Sequence, residues 1–152
     1  MTTNGPLPDI DWKAAFRKRA RTERAAAKAG DDGTAAARAA KHFIDSFAPK
    51  GPAKIALYCP LGDELDTAYL NADLLALGHQ VLLPVVTAAD APLIFRAFRM
   101  DTPLEEGRFG IPVPPESAEE MTPELLVVPL LGIRRDGARL GMGGGYYDRT
   151  LK

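Results

Sequence analysis

The segment Leu126-Val127-Val128-Pro129-Leu130-Leu131, followed after a charged turn by Arg139-Leu140-Gly141-Met142-Gly143-Gly144-Gly145-Tyr146-Tyr147-Asp148-Arg149, decides how this chain folds. Its first part reads as a buried strand, because a short apolar run between turn residues suits the inside of a sheet. The turn is Arg134-Arg135-Asp136-Gly137, and four glycines then fall within five positions. Glycine has no Cβ, so it accepts φ > 0 and lets a ligand come close to the backbone. Successive N–H groups in such a loop form a concave anion site, reinforced where a helix starts directly afterwards. Strand, glycine loop and helix therefore predict a phosphate cradle. The loop lacks the Gly-Lys-Ser/Thr of a Walker A sequence, and Tyr146 stands where a GxGxxG would end. A glycine-rich connector without a ligand is the alternative reading. The flanks favour a site: Arg139 and Arg149 bracket the loop with positive charge, Tyr146 and Tyr147 offer flat faces, and Asp148 offers a carboxylate for magnesium.

Upstream, strands and helices alternate. Asp11 to about Ala29 is helix-forming, with Asp11 as N-cap, and Gly30-Asp31-Asp32-Gly33 stops it. Thr34 to Phe47 reads as a second helix, and Lys54 to Tyr58 as a strand. Asp66 to Leu77 carries a helical apolar pattern that Gly78 ends. Gln80 to Val86 and Leu93 to Phe98 are further strands, whereas Thr102 to Pro123 is rich in Pro, Glu and Gly and reads as surface chain. The expected class is α/β: an open, at least partly parallel sheet with flanking helices, a Rossmann-like three-layer arrangement preceded by an N-terminal helical pair. Ligands of such sheets sit beyond the carboxyl ends of the strands, where the loops after Tyr58 and after Leu131 both lie.

The chain has 152 residues, which predicts one domain, with 1-10 as a disordered leader. Hydrophobic content of 46% with 26% charged residues and a net charge of −1 describes a soluble globular protein without whole-molecule attraction to nucleic acid. Cys59 is the only cysteine, which excludes an internal disulfide and suits a reducing cytoplasm. No apolar run has the length of a membrane span. His42 and His79 belong to no ligand cluster, and Ser46 and Ser117, the only serines, occupy no nucleophile elbow. The expectation is a cytoplasmic monomer.

Two further constellations carry chemistry. Lys13, Arg17, Arg21, Arg24 and Lys28 recur three or four residues apart and form one basic stripe, flanked by Trp12, Phe16 and Ala20. Most such stripes are solvated faces, and a nucleic-acid patch would need more aromatic residues beside it. The segment Tyr58-Cys59-Pro60-Leu61-Gly62-Asp63-Glu64-Leu65-Asp66-Thr67 reads as a strand-to-helix loop in which Asp63 or Asp66 caps the helix.

Gly137-Ala138-Arg139-Leu140-Gly141-Met142-Gly143-Gly144-Gly145-Tyr146-Tyr147-Asp148-Arg149 closely resembles the long motif of the 5-formyltetrahydrofolate cyclo-ligases, also called methenyltetrahydrofolate synthetases. The resemblance extends to Lys13 and Arg17, which match the family's N-terminal Lys-x-x-x-Arg pair at the ATP phosphates. It also reaches the loop after Tyr58, where Glu64 matches the folate-binding glutamate and Cys59 a position lining the substrate. It implies ATP-dependent conversion of 5-formyltetrahydrofolate to 5,10-methenyltetrahydrofolate, releasing ADP and phosphate. ATP would then meet Lys13, Arg17 and the loop Arg139, Leu140, Gly141, Met142, Gly143, Gly144, Gly145, Tyr146 and Tyr147. Reduced folate would meet Cys59, Glu64 and the stretch Met142 to Tyr146, with magnesium at Asp148. Arg21, Arg24 and Lys28 are left to solvent.

Ile133-Arg134 replaces a Phe-Asp pair usual in the family, and Met142 replaces a larger side chain. The chain also stops about two turns into the helix opened by Tyr146, short of the family's C-terminal segment, which implies a truncated C-terminus. Competing readings are a non-catalytic ATP- or folate-binding relative, an inactive fragment, or a basic-helix module for RNA.

Overall fold

The computed structural model describes residues 11–152; the expected leader, 1-10, falls outside them. Helix α1 (Trp12–Ala29) begins where Asp11 accepts hydrogen bonds from the N–H groups of Lys13 and Ala14, and ends at Gly30. Helix α2 (Ala35–Phe47) follows the Gly30–Gly33 break, where Asp31 accepts from the Ala35 N–H. Strand β1 (Lys54–Ala56) leads to α3 (Ala68–Ala76). That helix stops in a paired C-terminal turn: the Gly78 N–H bonds Leu75 and the His79 N–H bonds Leu74. Gly78 sits at φ 83°, which glycine adopts without the penalty a Cβ brings.

Strand β2 (Gln80–Val85) then runs parallel to β1, and β3 (Ile94–Phe98) returns antiparallel to β2. Short strands β4 (Glu105–Glu106) and β5 (Pro112–Val113) pair with each other, while β6 (Leu125–Leu126) lies parallel to β1 on its other side. The main sheet thus has the order β3-β2-β1-β6, mixed but mostly parallel. Its two faces are built by alternation. Ile55, Leu57, Val81 and Leu83 face one core with Ala40, Leu70 and Leu74 from α2 and α3. Ala56 and Leu82 face the other, with Leu93, Phe95, Tyr146 and Tyr147. Burial on both faces is why β1 and β2 read as continuous apolar runs rather than as alternating ones.

Two expected elements differ. The run after Glu124 is a strand only at Leu125–Leu126, extended by one bond from the Val127 N–H to Ala56 O, and it is half-buried. It lies at the end of the sheet, flanked on one side only among the described residues, and the run ends where the Leu131 N–H donates to Leu140 O of the following hairpin. The charged turn is the tip of a hairpin, β7 (Gly132–Ile133) with β8 (Arg139–Leu140), which stands between the sheet and the glycine loop. The segment read as surface chain also has work in the fold: Ala97 donates to Glu119 O and Met121 to Phe95 O, which covers the outer edge of β3. Helix α4 (Tyr146–Thr150) is the last element.

Candidate active site

The carboxyl ends of β1 and β6 open into a cleft of about 650 Å³, and every residue expected at a ligand lines it. Lys13 and Arg17 project from α1. Arg17 donates through Nε to the carbonyl oxygen of Gly141 at 3.0 Å, and its guanidinium lies against Gly143. Trp12 and Phe16, on the same turns, complete this wall. Phe16 packs so closely on Gly132 that a Cβ there would lie 2.9 Å from the ring.

The glycine loop occupies the facing wall. Gly143 adopts φ 111° and Gly145 φ 71°, conformations that L side chains rarely take. The N–H groups of Gly141 to Gly145 have no acceptor among the described residues. A row of free donors beside two cations is an electrophilic surface for an anion. Arg149, expected to bracket the loop, does not line the cleft. It lies behind the loop, donating to the carbonyls of Ala89, Ala91 and Gly144, with its guanidinium 4.8 Å from the Tyr146 ring centroid. Arg139 does line it and pairs with Asp148 at 2.7 Å. The Asp148 side chain is 76% exposed and keeps a second oxygen outside that pair.

The floor comes from the loop after β1. Glu64 is buried at 6% exposure, and its Oε2 accepts from the Leu61 N–H at 2.9 Å. Cys59 Sγ bonds Pro112 O, and burial raises the thiol's pKa. Burial first, then the Glu64 carboxylate, pushes Tyr58 up to about 12, while its hydroxyl donates to Leu65 O. Tyr147 is raised further, again chiefly by burial. Both phenols therefore stay neutral at physiological pH. Neither Asp63 nor Asp66 is the N-cap of α3, which is Thr67 without a side-chain capping bond; Asp66, one residue earlier, accepts from the Ala68 N–H.

The stripe on α1 requires a correction. Arg24, expected in solvent, grips Asp63 through Nε at 3.1 Å and Nη2 at 2.6 Å. Lys28 donates to the carbonyls of Gly62 and Glu64, each at 3.2 Å. Arg21 and Lys28 stay exposed as expected, although the Lys28 ammonium is tied to that loop; Arg24 alone of the three is drawn partly out of solvent. The surface-chain reading of Thr102 to Pro123 also missed a wall of the cleft: Arg108, Phe109, Ile111 and Val113 line it. Phe109 takes φ 60° and stands edge-on to Tyr146, ring centroids 6.2 Å apart. Its flanking glycines, Gly107 and Gly110, are the signal that could have marked a built turn there.

A family model of the 5-formyltetrahydrofolate cyclo-ligases matches residues 9–152. The chain belongs to that family. It is similar to the 5-formyltetrahydrofolate cyclo-ligase of Haemophilus influenzae, 33% identical over 74% of this chain and 63% of that protein. It is also similar to the enzyme of that name from Mycolicibacterium smegmatis, 41% identical over 64% of this chain and 54% of that protein. The chain thus spans less than two thirds of these curated relatives. Among solved structures, the 5,10-methenyltetrahydrofolate synthetase of Aquifex aeolicus matches 91% of this chain and 71% of its own, with a TM-score of 0.77 at 27% identity. The synthetase of Mycoplasma pneumoniae shares the fold, with a TM-score of 0.65 at 22% identity. Among the described residues no helix is long and apolar enough to cross a membrane.

Proposed function

We propose that this chain uses ATP to convert 5-formyltetrahydrofolate to 5,10-methenyltetrahydrofolate, releasing ADP and phosphate. The observation carrying this reading is the convergence of Lys13, Arg17, the unpartnered N–H groups of Gly141 to Gly145 and the buried Glu64 on one cleft. A triphosphate needs the first three, and a pterin needs the last. Glu64 can accept paired hydrogen bonds from the ring's amino and amide N–H groups, and the Leu61 N–H already fixes one of its oxygens.

In the proposed reaction the formyl oxygen takes the γ-phosphoryl group, and ADP leaves. N10 then attacks the activated formyl carbon, and the former formyl oxygen departs in inorganic phosphate. Charge neutralisation and positioning dominate such a transfer, so a protein nucleophile is not required. Lys13, Arg17 and the glycine loop would hold the phosphates in line with the formyl group. Leu93, Phe109, Ile111 and Val113 would place an apolar wall beside the reacting atoms. Magnesium fits here: it commonly takes one or two carboxylates plus substrate phosphates, and Asp148 offers an exposed carboxylate beside the loop. Among the described residues no group of three or more His, Cys, Asp or Glu side chains would hold a metal unaided. When bound with the nucleotide, the ion would supply further neutralisation of phosphate charge.

The test follows methenyltetrahydrofolate absorbance after mixing the chain with ATP, magnesium and 5-formyltetrahydrofolate. ATP-dependent product that disappears in Glu64→Ala and in Lys13→Ala supports the proposal. A folded chain that binds both ligands without making product would instead be a binding-only member of the family.

A further inference from the structure

We infer that Arg24 is a positioning residue for Glu64, a role that rests on the proposed reading of Glu64 as the folate-binding carboxylate. The guanidinium is divided between two acids. Its Nε and Nη2 edge is taken by Oδ1 of Asp63, at 3.1 and 2.6 Å. Its remaining nitrogen, Nη1, lies 3.7 Å from Oε1 of Glu64. The other carboxylate oxygen, Oε2, is held by the Leu61 N–H. Oε1 accepts no hydrogen bond among the described residues, so it stays open to a ligand alongside the second lone pair of Oε2, and Arg24 sets the direction of the carboxylate and balances its charge. That balance matters because Glu64 is among the few buried charged groups, and an unpaired buried carboxylate is costly. A lysine, with one charged nitrogen, cannot span both acids with a planar fork.

The helix explains how Arg24 reaches this place. Arg17 and Arg24 are seven residues apart, nearly two full turns, so they share one face about 10 Å apart along α1. Ala20 lies buried between them. Arg17 contacts the glycine loop, whereas Arg24 and Lys28 contact the loop carrying Glu64. One helix therefore supports both halves of the cleft, each through separate side chains. A local positioning role and a general support role for α1 consequently make different predictions.

Isothermal titration of 5-formyltetrahydrofolate and of a non-hydrolysable ATP analogue separates them. Arg24→Gln should weaken folate binding by at least about tenfold, as expected for a misplaced contact group, with nucleotide binding changed by less than about twofold. Arg24→Lys should fall between Arg24→Gln and the unaltered chain. Asp63→Leu, which removes the acceptor that holds the fork at nearly constant side-chain size, should weaken folate binding in the same selective way and decides between the two roles where Arg24→Gln does not fold. Unchanged folate affinity in these variants overturns the inference, as does a parallel loss of both affinities together with a lowered melting temperature. An unaltered chain that binds no reduced folate overturns both this role and the function on which it rests.

Discussion

Arg17 on α1 donates through Nε to the carbonyl oxygen of Gly141 at 3.0 Å, joining positions 124 residues apart across the mouth of the cleft. The bond uses one edge of the guanidinium and brings the group against Gly143, so one side chain both shapes the loop and presents positive charge to it. Arg17→Ala should weaken nucleotide binding by roughly 10- to 100-fold, the range for losing hydrogen bonds to a charged group. Its melting temperature should change little, because the side chain is only partly buried. Unaltered affinity for an ATP analogue by calorimetry would refute the assignment.

Two glycine substitutions should separate function from stability. Gly143→Ala forces a side chain into φ 111° in an exposed loop with ordinary space around it. The expected cost is about 1–3 kcal/mol of strain, relieved by reshaping the loop, so nucleotide affinity suffers more than global stability. Gly107→Ala differs, because its Cβ would lie 2.8 Å from the backbone oxygen of Ile111 and 2.7 Å from Val113 Cγ1. Backbone cannot swing aside as a flexible side chain can, and Val113 belongs to the core. Thermal denaturation should therefore rank Gly107→Ala as the less stable variant.

Cys59 provides a probe of the cleft. Burial raises the thiol's pKa, so less of it is thiolate at neutral pH than of an ordinary cysteine. Alkylation by iodoacetamide should be slower than for a free thiol and should accelerate as the solution becomes alkaline. Saturating reduced folate should slow it further, since Cys59 lines the same cleft as Glu64. Rapid labelling unaffected by folate, followed by mass spectrometry, would count against the proposed substrate position.

Asp63 makes the acid side of stability informative. Its carboxyl is held below the usual range, first by the hydrogen bond from Arg24. A depressed folded-state pKa means the contribution is present above the unfolded value and fades as pH falls through the folded one. Denaturant melts of Asp63→Asn should accordingly show a shallower loss of stability on acidification than the unaltered chain. Parallel pH profiles for the two proteins would mean that the Arg24 pair adds nothing to folding.

Much of the local structure was legible from residues close together in the chain. Asp11 announces the start of α1 because its carboxylate reaches N–H groups two and three positions on. Gly78 announces the end of α3 because the reversal needs a positive φ. The loops bearing Glu64 and Gly141–Gly145 were expected near one another, since both follow strands that the alternating pattern makes parallel. They do share one cleft, although the glycine loop follows the antiparallel β7–β8 hairpin and not the parallel strand β6 directly.

The errors have a different origin. Arg21 and Arg24 lie on one stripe with similar local surroundings, yet only Arg24 meets Asp63, 39 positions away. Phe109 sits in a segment whose composition matches surface chain, and it enters the cleft through a turn flanked by Gly107 and Gly110. The β7–β8 hairpin was hidden because each strand has two residues, too short for any period to register.

The sequence by itself determined the caps, the glycine torsions, the strands buried on both faces and the motif of the family, because each depends on spacing within a few residues. The tertiary structure decided which charges leave solvent, which carboxylate oxygen stays open and which turn forms a wall of the cleft. Those outcomes depend on partners tens of residues apart, brought together only when α1 lies across the ends of the sheet, and no local pattern records such a meeting.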